Sequence, residues 1–336
     1  MKVVFFGTPD FVLPIPQALL EAGFSVVAVV TNPDRPVGRK QILTPSPVKK
    51  WAFKHQIPTL TPEKLDTNSQ LSGEARSCFA GLITNYHPDL GVLAAYGKIL
   101  PQEVIDLFPQ GILVVHPSLL PAYRGASPVQ AAILNGDKVT GVSIIKMDEK
   151  MDHGPIVSQF KEEIKLDDTA ETLYQRLFQK TAEVLVTILP AYIEGCLNPR
   201  EQDHKKATFC KLLKKEDGFI PYGIIAPKPG ATSKCKLGPY EIEPTPENLE
   251  RFIRAMSPWP GAWTEIETCD TQNATRNIPS SQTCHISPVT CCRRRLKILK
   301  AHLEEGKLVL DEVQLEGKKT VPWKQFKETH PEIKLM

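Results

Sequence analysis

The stretch GILVVHPSLLPAYRG, residues 111–125, decides how the rest of the chain reads. Ile112 to Val115 are apolar without a break, and the run ends in His116 and the turn PSLLP. A strand that is apolar on both faces belongs inside a sheet covered on both sides, which is the habit of parallel sheets. Such sheets bind ligands beyond the carboxyl ends of their strands, so an imidazole at this end is placed for function. Side chains alternate along a strand, which puts Val114 on the same face as His116. Valine brings no polar chemistry to that face.

Working outward, KVVFF (2–6) and SVVAVVT (25–31) predict two buried strands. DLGVLAAYG (89–97), TGVSIIKMD (140–148) and PIVSQFKEEI (155–164) predict three more. Residues 9–23, 128–136 and 168–195 predict helices, each closed by a glycine. The expected fold is therefore α/β, with a mostly parallel, Rossmann-like sheet. His116 lies at a carboxyl end, and so does Asp148. The alternation stops near residue 200. Residues 204–245 read as a linker and an irregular Pro/Gly-rich segment. Residues 246–336 read as a helix followed by short strands with tight turns at Gly306 and Gly317, the pattern of a small β-barrel or sandwich. A polar insert, 269–292, is expected to form a long mobile loop. The first domain is thus expected over 1–203.

Net charge is +3, unevenly spread. Residues 204–336 hold 22 Lys and Arg against 16 Asp and Glu, and the residues before them hold 19 against 22. A basic tail on an acidic body suits a polyanionic partner. No apolar run approaches the length of about 18 residues that a membrane span needs. MKVVFFGTPDF reads as a strand and turn, not an export signal. A cytoplasmic chain with eight reduced cysteines is expected. Cys269, Cys284, Cys291 and Cys292 cluster without any C-x-x-C pair, so no metal site is expected.

The first turn, GTPD (7–10), lacks the three glycines that let a backbone approach a pyrophosphate, which disfavours a nicotinamide cofactor. A carboxylate beside His116 would favour its charged, proton-donating form. MDEKMDHGP (147–155) offers Asp148 and Asp152, and spacing does not choose between them. Residues 32–50 are too long for an ordinary βα connection, and Arg35, Arg39, Lys40, Lys49 and Lys50 suit phosphate contacts. Arg124 either binds an anionic group or ties its turn to a carboxylate.

FFGTPDF (5–11), TNPDRPVGR (31–39), TPSPVK (44–49), AAYGKILP (94–101), HPSLLPAYRGASPVQ (116–130), TGVSIIKMDEKMDHGPI (140–156) and PWPGAW (258–263) occur in this order. Together they resemble the methionyl-tRNA formyltransferase family over nearly the whole chain. The resemblance implies a Rossmann-like formyltransferase domain and an OB-like barrel. It implies formyl transfer from 10-formyltetrahydrofolate to the α-amine of methionyl initiator tRNA, by a monomer and without a metal. His116 matches the catalytic histidine and Asp152 the aspartate that sets its charge. The pterin is expected against backbone near Leu93, Ala95, Tyr96 and Gly97, with Ser118, Leu119, Leu120, Pro121 and Asp148 completing the folate site. Arg39 matches a loop arginine that enters the tRNA acceptor stem, with Arg35 and Lys40 beside it.

Val114 is the departure, because the family carries asparagine there. Three accounts follow: the enzyme is slow but active, another donor such as a backbone N–H near Pro117-Ser118 substitutes, or transfer is lost while binding remains. Two other functions stay open at this point. One is a formyltransferase acting on a small amine such as an amino sugar nucleotide. The other is a non-catalytic tRNA- or folate-binding protein.

Overall fold

The computed structural model describes residues 1–38, 40–67, 70–71, 73–225, 234–269, 291–331 and 333. The chain divides into two units, Met1–Ala132 with Asp137–Leu212, and Ile133–Gly136 with Leu213–Met336.

The first unit begins with β1 (Lys2–Gly7), α1 (Pro14–Glu21) and β2 (Ser25–Val30). The long segment after β2 is not an open loop. It folds into a hairpin of β3 (Arg35–Val37) and β4 (Ile42–Thr44), then enters α2 (Pro47–Lys54). Ser46 caps that helix by accepting from the Lys49 N–H at 3.0 Å, and Pro47 supplies a first turn that needs no donor. β5 (Thr59–Leu60), a small hairpin of β6 (Asp66–Thr67) and β7 (Gln70–Leu71), and α3 (Gly73–Tyr86) follow. Next come β8 (Leu90–Ala94), α4 (Gln102–Ile105), β9 (Ile112–His116), β10 (Arg124–Gly125) and α5 (Pro128–Asn135). β11 (Val139–Lys146), β12 (Ile156–Glu163), α6 (Ala170–Ile193) and β13 (Phe209–Cys210) close the unit.

Seven strands form one sheet in the order β12-β11-β9-β8-β1-β2-β5. The pairs from β9 to β5 are parallel, while β11 and β12 are antiparallel to their neighbours. Val3, Val4, Phe5 and Phe6 are fully buried, as a strand covered on both faces must be. Phe6 meets Phe79, Tyr96 and Phe108 in an aromatic core.

α6 starts in a capping box of Thr169 and Thr172. Just before it, burial would raise the Asp168 carboxyl, but Arg176 reverses this with bonds of 2.8 and 2.6 Å. The Lys165 N–H and the Thr172 hydroxyl add to it, and Asp168 ends below the usual carboxylate range. A carboxylate depressed in the folded state contributes stability above its unfolded value of about 4, and that contribution is lost as pH falls through the folded value. Asp168→Asn should therefore lower stability at neutral pH yet flatten the acid loss of Tm between about pH 5 and about pH 2. Equal acid slopes in thermal melts of the two proteins would show that the network adds nothing.

The second unit contains α7 (Tyr222–Ile225), a hairpin of β14 (Cys235–Leu237) and β15 (Tyr240–Ile242), and α8 (Pro246–Ala255). β16 (Ala262–Cys269), β17 (Cys291–Glu304), β18 (Lys307–Leu315) and β19 (Thr320–Pro322) form a four-stranded antiparallel sheet, and α9 (Trp323–Thr329) ends it. Glu305 and Gly306 both have positive φ, 50° and 73°, as a two-residue hairpin turn requires. Of the expected 269–292 loop, Cys269, Cys291 and Cys292 are strand residues paired across β16 and β17. The remainder lies outside the described residues.

Candidate active site

β8 and β9 run side by side and parallel, so their tips, Ala94 and His116, open on the same edge of the sheet. The imidazole is 5% exposed. Its Nε2 donates to the Tyr123 carbonyl at 2.9 Å, and its Nδ1 stands 3.4 Å from Asp152 Oδ1. The other Asp152 oxygen accepts from the Gly125 N–H at 2.8 Å. Both ring nitrogens thus face oxygens that only accept, and the ring donates to both when it carries two protons.

The geometry separates the two aspartates that the sequence left open. β11 runs antiparallel to β9, so its carboxyl end lies beside Leu113 rather than beside His116. Asp148 is therefore not at a ligand-facing strand tip of the parallel kind. Its carboxylate bonds the Lys150 N–H at 3.0 Å and His153 Nδ1 at 2.6 Å. The return loop carries Asp152 back to His116, in a left-handed conformation with φ 51°.

Arg124 follows neither course open to it in sequence. It is 4% exposed and turned inward, where its Nη2 meets Gln202 Oε1 at 2.6 Å and His204 Nδ1 at 2.9 Å. Beside it, Cys210 donates to the Arg124 carbonyl at 3.3 Å, and burial pushes its thiol up to about 11. It stays protonated at neutral pH and is no nucleophile.

The SLLP segment is pinned from the sheet. Ser143 sits opposite His116 in β11, and its hydroxyl donates to the Ser118 carbonyl at 2.7 Å and accepts from the Leu120 N–H at 3.0 Å. Gln159 of β12 donates to the Leu120 carbonyl at 3.1 Å. Sequence reading missed both residues; a serine inside the largely apolar β11 is the available signal for Ser143, whereas Gln159 stands among the polar residues of β12. Pro121 is half-buried and its carbonyl accepts from the Thr208 N–H at 3.3 Å. The Ser118 N–H is spent on the His116 carbonyl at 2.9 Å, so it is not a spare oxyanion donor. Val114 is 7% exposed and packs with Leu120, Ile145 and Ile156, against Leu93 and Met147.

Ala95 and Gly97 are exposed at positive φ, 46° and 79°, and turn the chain away from β8. Tyr96 between them is a core residue, 1% exposed, and its carbonyl already accepts from Asn32 Nδ2 at 3.0 Å. Leu119 is half-buried. Arg35 is exposed on β3 and pairs with Glu63 at 3.4 Å, and Lys40 is exposed in the hairpin turn. Arg39 lies outside the described residues. Among the described residues, no group of three or more His, Cys, Asp or Glu is placed to hold a metal. None of their helices is long and apolar enough to cross a membrane.

Residues 1–189 match the formyl transferase family and 243–331 match the formyl transferase C-terminal domain. The methionyl-tRNA formyltransferase of Bacillus subtilis is 37% identical over 97% of this chain and 93% of its own. The chain belongs to the methionyl-tRNA formyltransferase family. Another relative of that name, from Roseiflexus castenholzii, is 37% identical over 96% of this chain and 94% of its own. The methionyl-tRNA formyltransferase structure from Clostridium thermocellum covers 94% of this chain and 98% of its own, with a TM-score of 0.52 at 18% identity. That likeness is one of fold, and the family membership rests on the sequence matches. For a methionyl-tRNA formyltransferase family member, Val114 is the position of interest, since an apolar cluster closes over it.

Proposed function

We propose that this chain moves the formyl group of 10-formyltetrahydrofolate onto the α-amine of methionyl initiator tRNA, with His116 and Asp152 at the reacting atoms. The observation that carries the reading is the pairing of the buried His116 with the half-buried Asp152 at the tip of β9, in a chain that matches this family over 97% of its length. The amine nitrogen bonds to the formyl carbon, the bond from that carbon to N10 breaks, and the proton lost by the amine is returned to N10. An oxyanion develops on the formyl oxygen between the two events and needs a donor. His116 supplies it. Its Nδ1 contact is the longer of its two, and such contacts tighten or exchange when substrate arrives. Asp152 faces the ring from its Nδ1 side and orients it.

Leu93, Ala95, Gly97 and the 118–121 turn are proposed to receive the folate, with Tyr96 acting only by supporting that turn from the core; Asp148, held by Lys150 and His153 away from the His116 tip, is left out. The exposed turn at the end of β8 fits a flat ring that hydrogen-bonds to backbone. The β3–β4 hairpin, with Arg35, Arg39 and Lys40, is proposed to meet tRNA phosphates. The catalytic part then runs past the expected end at 203 to Leu212, since His204, Thr208 and Cys210 support the site, and 246–336 form a tRNA-binding part. The reading takes the protein as a monomer. It places the protein in the cytoplasm, where initiator tRNA is charged.

Incubation with charged initiator tRNA and 10-formyltetrahydrofolate should give formylmethionyl-tRNA on an acid gel. Arg39→Ala should raise KM for the tRNA by about tenfold, the loss of one charged phosphate contact, with KM for the folate unchanged. Equal losses toward both substrates would contradict the hairpin assignment. Absence of product at any protein concentration would sink the reading itself.

A further inference from the structure

Gln202 lies in a polar stretch, yet it is only 5% exposed. Its Nε2 donates to the Asp152 carbonyl at 3.0 Å and to the Gly154 carbonyl at 2.7 Å. Its Oε1 accepts from Arg124 Nη2 at 2.6 Å. Both amide hydrogens and the amide oxygen are therefore in use. Two residues earlier, Arg200 and Ile156 exchange backbone hydrogen bonds of 2.8 and 2.7 Å, which fixes the segment to the start of β12.

We infer that Gln202 is a positioning residue for the reaction proposed above: it clamps the backbone on both sides of His153 and so aims Asp152 at His116. Asp152 has a positive φ, which a residue other than glycine keeps only when its surroundings hold it there. Gly154 lies flat against the Lys146 carbonyl, where any Cβ would collide with it. Three consecutive residues at the start of β10 and just before it complete the arrangement. Tyr123 holds His116, Arg124 holds Gln202, and Gly125 holds Asp152. The segments 123–125 and 152–154 are thus tied twice, once through the carboxylate and once through the Gln202–Arg124 pair. Without the second tie, the first has to fix the carboxylate alone. His204 adds a third support, since it accepts from Arg124 and stacks on His153 with ring centroids 3.9 Å apart and planes 3° apart.

Gln202→Met keeps length and volume and removes all three hydrogen bonds, and it tests the clamp in two ways. Amide exchange needs no substrate. The Gly125 amide, which donates to Asp152, should exchange about tenfold faster in the variant, while the amides of β1 keep their protection. In formylation, kcat should fall by about 10²-fold with both KM values little changed, the signature of misplaced groups rather than lost binding. In an Asp152→Asn background the same substitution should cost almost nothing, because the carboxylate it aims is gone. Unchanged Gly125 exchange overturns the inference whatever the activity. So does an equal kcat loss in both backgrounds, which marks a general packing role. An inactive wild-type chain with accelerated Gly125 exchange in the variant would reject the proposed reaction and leave the clamp on Asp152 standing.

Discussion

Replacing His116 by Asn should lower kcat for formylation by about 10²–10⁴-fold, the range for loss of a positioned acid–base group. Asparagine retains one donor near the place of Nδ1 but cannot return a proton. It also gives up the bond from Nε2 to the Tyr123 carbonyl, so the side chain loses one of the two contacts that orient it. Asp152→Asn should reduce kcat in the same direction by leaving an uncharged partner beside the ring. The pair acts through one imidazole, so the double variant should be hardly slower than the worse single one. KM for either substrate should move little, because neither side chain is asked to bind the ground state. Single-turnover measurement at saturating folate separates chemistry from product release. A His116→Asn protein with kcat within about threefold of wild type would remove His116 from the reaction, since even the weakest acid–base contribution exceeds that.

The sheet and its ligand-facing edge were legible because unbroken apolar runs such as KVVFF and ILVV are what a doubly covered strand requires. Strand direction was not. TGVSIIKMD is apolar on both faces whether it runs parallel or antiparallel to β9, and the antiparallel course is what moves Asp148 away from the His116 tip. Asp152 reaches the imidazole by a nine-residue return whose path depends on a left-handed turn and two carbonyl contacts, none of which has a periodic signature. Gln202 and His204 were hidden for a related reason. They lie among polar residues in a stretch with neither helix nor strand period, and only tertiary structure shows that this stretch tucks under the active loop. An arginine near a ligand edge suggests an anion or a carboxylate tie, whereas in Arg124 burial and a glutamine–histidine pair hold the side chain inward, and neither partner has a signal in the sequence.

Val114→Asn should raise kcat and lower stability together. The valine shares a strand face with His116, so an asparagine amide at this position points to the region where the formyl oxygen must lie. One oxyanion donor is worth about 10²–10³ in kcat where no other group supplies it. The backbone candidate that the sequence offers is already taken, since the Ser118 N–H is bonded to the His116 carbonyl. His116 is then the one side-chain donor that the described strand tip offers, and a second should give a gain toward the lower end of that range. The opposing effect comes from the seat. Leu93, Leu120, Ile145, Ile156 and Met147 surround position 114, and a buried amide left without partners there costs about 1–3 kcal/mol of stability. That is less than the about 5–15 kcal/mol typical of a folded chain, so the variant should fold, with a lower urea midpoint and an unchanged slope. Formyl substrate should recover part of the loss, because its oxygen satisfies the amide. A lower midpoint with kcat unmoved would mean that the formyl oxygen lies out of reach of strand position 114. A gain in kcat would show that the missing donor at position 114 limits the rate of the enzyme.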